Sequence, residues 1–201
     1  EQVTFAREKA KEEGLKNQVE YVLDDYRNIS GLYDRFVSVG MLEHVGTDYY
    51  PDLAAVIRRH MKTEALALVH SSARNYPMRT NACIEKPICP GAYPPSITEF
   101  TSIGEAGPFS VLDVENLRLH YAETLEDWLA RFEANIDTVR EMYGENFVRA
   151  WRLYLAGSIA SFRANALQLF QMVLAHPENN NVPRNRKHLY TSSNVPPEDS
   201  Y

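Results

Sequence analysis

The stretch Val37-Ser38-Val39-Gly40-Met41-Leu42-Glu43-His44-Val45-Gly46 constrains the fold of this chain more than any other. The apolar, β-branched run from Phe36 to Val39 predicts a strand buried in a parallel sheet, and a glycine, a carboxylate and an imidazole follow it. Ligands of open α/β sheets bind outside the carboxyl ends of their strands, so this pattern makes Glu43 the first catalytic candidate.

Around that strand the chain alternates helix and strand. Gln2 to Glu13 carries Val3, Phe5, Ala6 and Ala10 near helical spacing, with Gly14 as a stop signal. Val19 to Leu23 alternates toward a short strand ending in Asp24-Asp25-Tyr26-Arg27, and Tyr33 to Gly40 is the second strand. Thr47-Asp48 predicts the cap of a helix reaching about Lys62, with Leu53, Val56, Ile57 and Met61 as its apolar stripe. Glu64 to Val69 is a third strand, ending at His70. From Ser71 to Ser96 a proline-rich loop follows, long enough to serve as a lid or binding segment. A short helix over Thr98 to Glu105, a strand over Phe109 to Val114, aromatic-rich helices over about 120–143 and 145–164, and a last strand over Leu167 to Leu174 complete the order. The alternation indicates an α/β fold with a parallel sheet, in one domain over residues 1–175. Asparagine, proline and serine dominate beyond, so residues 176–201 are expected to be a disordered tail.

Charge and composition exclude several classes. Against 21 Lys+Arg stand 27 Asp+Glu, a formal charge of −6, so no nucleic-acid partner is expected. No apolar run reaches the roughly 18 residues of a membrane-spanning helix, and no signal-peptide pattern opens the sequence. Cys83 and Cys89, close together in one loop, suit free thiols in a reducing compartment, which makes the cytoplasm the expected location. Glu43, His44 and His70 lack further ligands at a recognisable spacing, and HExxH, CxxC and GxSxG patterns are all missing. Neither a metal nor a serine nucleophile is therefore expected.

Two successive strands end in Glu43 and His70, so neighbouring strand ends would put a carboxylate and an imidazole over one edge of the sheet. Such a pair suits proton transfer, or an anion such as carbonate held between the two groups. It equally suits a buried histidine capped by a glutamate for structural reasons. His44, adjacent to Glu43 on what reads as an extended segment, is expected to point the other way. Asp24 and Asp25 at a strand end suit contacts to an adenine or ribose, or a plain acidic turn. The aromatic helices suit a core or the wall of an apolar tunnel.

The chain resembles the cyclopropane fatty acid synthases, including the mycolic acid cyclopropane synthases, among the S-adenosylmethionine-dependent methyltransferases. The similarity runs from Glu1 to about Leu174. It is carried by VSVGMLEHVG (37–46), LVH (68–70), IEKPICPGAYPPS (84–96), LRLHYAETLEDWLARFEAN (117–135), WRLYLAG (151–157) and SFRANALQLFQMVL (161–174). The resemblance implies methyl transfer from S-adenosylmethionine to a cis double bond of a phospholipid acyl chain, giving a carbocation that loses a proton to bound bicarbonate as a cyclopropane ring closes. It assigns bicarbonate binding and catalysis to Glu43, His70 and Tyr121, and cofactor contacts to Gln2, Asp25, Tyr26 and Arg27. The aromatic helices at about 120–164 would then hold the lipid, and the protein would work at the inner face of a bacterial membrane, with homodimer formation left open. Ser71-Ser72, Pro87, Cys89 and Ser158 depart from the family's usual residues, which leaves room for methyl branching instead of ring closure. A methyltransferase acting on a small amine and an inactive, lipid-binding fragment are the alternatives.

The implied fold is a class I methyltransferase-like, Rossmann-like α/β fold, a mostly parallel sheet with an antiparallel last strand. In that fold two strands, expected to precede Glu1, separate Val19–Leu23 from Tyr33–Gly40, and the family's glycine-rich cofactor turn and the N-terminal cysteine of its bicarbonate site are absent from this sequence. These residues are thus expected to be the C-terminal part of one methyltransferase domain that lacks its first strands, the missing N-terminal half being supplied in cis or in trans.

Overall fold

The computed structural model describes residues 1–78 and 90–187, so the expectations for Cys83, Pro87 and Cys89 lie outside the described residues. Strands β1 (Tyr33–Val39), β2 (Met61–Ala73), β3 (Ser110–Asn116) and β4 (Gln168–Ala175) form one sheet in the order β1-β2-β4-β3. β1 and β2 are parallel, while β4 runs antiparallel to both of its neighbours, β2 and β3. Three strands therefore point one way and only the last opposes them, as the implied fold requires.

The alternation along β2 sets the two faces of the sheet. Ala65, Ala67, Val69, Ser71 and Ala73 are buried, whereas Leu66, Leu68, His70 and Ser72 are half-buried on the other face. Small side chains on the buried face let α3 (Tyr50–His60) and α4 (Ile97–Ala106) come close. There Leu53, Ile57, Phe100 and Ile103 lose all solvent contact against β2 and against Met172 and Leu174 of β4. Each contributes about 1.5–3 kcal/mol of burial energy. Ser96 starts α4 with a reciprocal cap: its hydroxyl accepts the Glu99 N–H at 3.2 Å, and the Glu99 carboxylate accepts the Ser96 N–H at 2.7 Å. At Gly104 a Cβ would stand 2.5 Å from Val111 Cγ2, so only glycine permits this contact between α4 and β3.

A second core lies among α5 (Arg118–Ala134), α6 (Ile136–Tyr143) and α7 (Glu145–Arg163), where Leu125, Phe132, Val148, Leu155 and Phe162 interlock. Arg118 donates to the Phe162 and Arg163 carbonyls at 2.5 and 3.0 Å, helping to satisfy the C-terminal end of α7. Glu133–Arg152 and Glu126–Arg163 ion pairs join α5 to α7 on the exposed side. Exposed pairs of this kind contribute about 0–1 kcal/mol each, so the apolar seam holds these helices together.

Three expectations need correction. Val19–Leu23 forms no strand: Val22 is 66% and Leu23 83% exposed. A strand exists through a neighbouring strand that satisfies its N–H and C=O groups, and among the described residues none pairs with this segment, whose Tyr21 carbonyl is taken by the Arg7 guanidinium instead. The helix expected over Thr47 to Lys62 divides into a 3₁₀ turn, Thr47–Tyr49, and α3, which stops at His60 because the chain enters β2 at once. β2 continues to Ala73, past the expected loop start at Ser71, because β4 pairs with it through Ser71, Ser72 and Ala73.

The side of β1 away from β2 is unpaired among the described residues, and Val37 and Val39 are 62% and 63% exposed. Helix α1 (Gln2–Glu12) buries only Ala10 and leaves Phe5 exposed. Residues 176–187, assigned from composition to the tail, lie beside β3, where Arg186 holds the Asp113 carboxylate with two bonds of 2.5 Å.

Candidate active site

The opening motif folds into a sharp turn at the end of β1. Gly40 takes φ +65°, a conformation that favours glycine, and its N–H donates to the His70 carbonyl at 3.0 Å. A single helical turn, α2 (Leu42–Val45), follows, anchored by the fully buried Leu42. Glu43 is fastened at two points: Oε1 accepts the Ser72 N–H at 2.7 Å, and its main-chain carbonyl accepts the Tyr93 N–H at 2.8 Å. Its other carboxylate oxygen, Oε2, is buried with no hydrogen-bond partner among the described residues. Leaving a buried acceptor unmet costs about 1–3 kcal/mol, so this atom marks where a donor belongs.

Glu43 and Tyr121 line one cavity of about 270 Å³, together with His44 and Ser72. Leu125, Tyr154 and Phe162 form its apolar wall. The Tyr121 ring is held edge-on by Phe162, with centroids 5.0 Å apart, and by Trp128 at 6.4 Å. His70 is not among the lining residues. It stands opposite Val39 on β1 and Gln171 on β4. Burial holds the His70 pKa below its ordinary value, against the smaller opposing effect of the Glu43 charge, so the ring is neutral near pH 7.

A second cavity, of about 430 Å³, adjoins the first through His44 and is bounded by Tyr26, Arg27, Met41 and Tyr49. Asp25 organises its rim: the carboxylate caps the 3₁₀ turn Tyr26–Asn28 by accepting the Arg27 N–H, and it takes two bonds from the Arg27 guanidinium at 2.9 and 2.7 Å. That guanidinium lowers the Asp25 pKa to about 2, and burial raises that of Tyr26. The structure thus brings Glu43 with Tyr121 and Tyr26 with Arg27, while Gln2, at the start of α1, lines neither cavity.

His44 is the residue sequence reasoning set aside. It was expected to point away from Glu43 on extended backbone, but α2 is helical, and adjacent helical residues diverge by about 100° rather than 180°. Both side chains therefore reach the first cavity. Gln171, bonded to His70, and Ser72, bonded to Glu43, carried no sequence signal, since their roles depend on strand pairing.

The family model for mycolic acid cyclopropane synthetase matches residues 1–172. The chain belongs to this family. It is 34% identical to the cyclopropane-fatty-acyl-phospholipid synthase of Escherichia coli strain K12, over 90% of this chain and 47% of that protein. It is 36% identical to the tuberculostearic acid methyltransferase UfaA1 of Mycobacterium tuberculosis, over 87% of this chain and 42% of that protein. The chain thus spans about half the length of these relatives. The cyclopropane synthase MmaA2 from Mycobacterium tuberculosis shares its fold with a TM-score of 0.72 at 21% identity, covering 81% of this chain and 64% of that one. The fold is that of the α/β methyltransferases, as the sequence implied.

Proposed function

We propose that the full-length protein transfers a methyl group from S-adenosylmethionine to the cis double bond of an unsaturated phospholipid acyl chain, and that loss of a proton closes a cyclopropane ring or restores a double bond in a methyl-branched chain. The observation that carries this is the first cavity, where a buried carboxylate with an unmet oxygen faces an apolar, aromatic wall. An acyl chain fits the wall; developing positive charge on its reacting carbons is favoured by the Glu43 carboxylate and the faces of Tyr121, Tyr154 and Phe162. The apolar wall also keeps out water, which would otherwise trap a carbocation.

The residues present fit both groups that the reaction needs. Glu43 Oε2 calls for a donor, and bicarbonate retains one O–H; the Tyr121 hydroxyl, on the same cavity, would hold a second oxygen, and His70, outside the lining but close enough to feel the Glu43 charge, a third. The cavity at Tyr26 and Arg27 offers an aromatic face and an adjoining cation for an adenosine, with His44 between it and the acyl site. When bound, S-adenosylmethionine supplies an electrophilic methyl group and bicarbonate a base for the released proton. Relatives that include both a cyclopropane synthase and fatty acid methyltransferases support one methyl transfer with two endings. No helix among the described residues is long and apolar enough to cross a membrane, so the lipid would be met at the membrane's surface.

Full-length protein incubated with radiolabelled S-adenosylmethionine and vesicles of an unsaturated phospholipid tests this. Label in the acyl chains is the expected result. Label confined to an amine would transfer the reading to a small-acceptor methyltransferase, and the absence of any transfer would make the chain a binding subunit.

A further inference from the structure

Gln171 stands directly across from His70 in the pairing of β2 and β4, with its Nε2 3.0 Å from His70 Nδ1. An amide nitrogen donates and does not accept, so Nδ1 is the acceptor in this bond. A neutral imidazole has one proton to place, and with Nδ1 accepting, that proton lies on Nε2. We propose that Gln171 is a positioning residue: its amide N–H, held against Nδ1, fixes the plane of the His70 ring and its Nε2–H tautomer. His70 then presents a donor instead of a lone pair to the anion beside Glu43.

Three features of the surroundings agree. Burial keeps His70 neutral, and only in a neutral ring does the choice of tautomer matter. The His70 backbone is fixed on both sides, by the Gly40 N–H on its carbonyl and by the β4 pairing, so the ring plane is the remaining freedom. Glu43 is an acceptor throughout, so a ring offering a lone pair would set two acceptors against an anion, and the site would repel what it is built to hold. The anion itself rests on the function proposed above; the tautomer does not.

The test uses full-length protein with ¹⁵N-labelled histidine. Long-range ¹H–¹⁵N spectra of the wild type should show His70 protonated at Nε2 and bare at Nδ1. In Gln171→Glu a carboxylate would accept from Nδ1–H, moving the proton there, while Gln171→Leu should show both tautomers in exchange. Both variants should raise the bicarbonate concentration for half-maximal turnover ~10-fold or more, the effect typical of losing a histidine's orienting partner at metal sites. Gln171→Asn, which can still donate, should recover part of this. A wild-type ring protonated at Nδ1, or Gln171→Leu with the wild-type tautomer, overturns the proposal whatever the activity. If wild-type turnover ignores bicarbonate, the anion assignment fails while the spectra still decide the role of Gln171.

Discussion

Replacing Glu43 by glutamine separates what this side chain does for the fold from what it does for the reaction. Glutamine keeps the length and the oxygen that accepts the Ser72 N–H, now 2.7 Å from Oε1. That bond passes from charge-assisted to neutral, a loss of about 1 kcal/mol, and an amide N–H2 in place of the buried Oε2 adds at most a similar amount. Stability should therefore fall by about 1–2 kcal/mol, a shift of a few degrees in melting temperature. The reaction loses much more. Removing a preorganised charge or donor from a site where charge develops costs about 10²–10³-fold in rate, and the same loss is expected here. Binding of S-adenosylmethionine should be nearly unchanged, since Glu43 does not line the cavity at Tyr26 and Arg27. Turnover on unsaturated phospholipid vesicles, titration calorimetry with S-adenosylmethionine and thermal denaturation supply the three quantities. Equal losses in turnover and cofactor affinity would refute the division of labour between the cavities, and turnover within threefold of wild type would make Glu43 a structural cap.

Tyr121→Phe keeps the ring against Phe162 and Trp128 but removes the hydroxyl, so turnover should drop ~10²-fold with little change in melting temperature. Because burial lowers the His70 pKa, the unfolded chain takes up its proton more readily than the folded one. The stability this residue contributes is complete above the ordinary value of 6.5 and is lost as pH falls below it and through the lower value of the folded state, which urea denaturation over that range would register as a declining midpoint. Gly104→Ala sets a methyl group 2.5 Å from Val111 Cγ2 and should cost about 1–3 kcal/mol in the same assay.

How much of this was legible in the sequence follows from which forces are local. The strand at Tyr33 and the helix with Leu53 and Ile57 depend on patterns within a few residues, and both form, although Val37 and Val39 of that strand are exposed instead of buried and the helix ends at His60; the Ser96 cap is equally local but goes unread in the sequence. The reach of β2 to Ala73 depends on β4, some hundred residues later, and nothing near Ser71 announces it. Val19–Leu23 shows the reverse: its alternation is that of a strand, but pairing needs a neighbour that the described residues do not include. At the candidate site, Glu43 is legible because it comes just after the end of β1, and His70 because the apolar run of the expected strand ends at it, although β2 itself runs on to Ala73. Tyr121 came only from the family resemblance, since a tyrosine on an aromatic helix looks like core. His44 goes unread because its single helical turn looks like extended chain in the sequence, and Gln171 because a glutamine inside a strand gives no sign of the ring across from it.

Mass spectrometry of acyl chains after reaction with S-adenosylmethionine carrying a trideuterated methyl group tests the central claim most directly. Methyl transfer onto the double bond predicts deuterium in the chain itself: two deuterons where the transferred methyl group gives up the third as the ring closes, three where a chain carbon gives up a proton and a methyl-branched alkene remains. In Glu43→Gln the same products should form far more slowly. Acyl chains free of deuterium, from full-length protein that binds the methyl donor, would contradict the account.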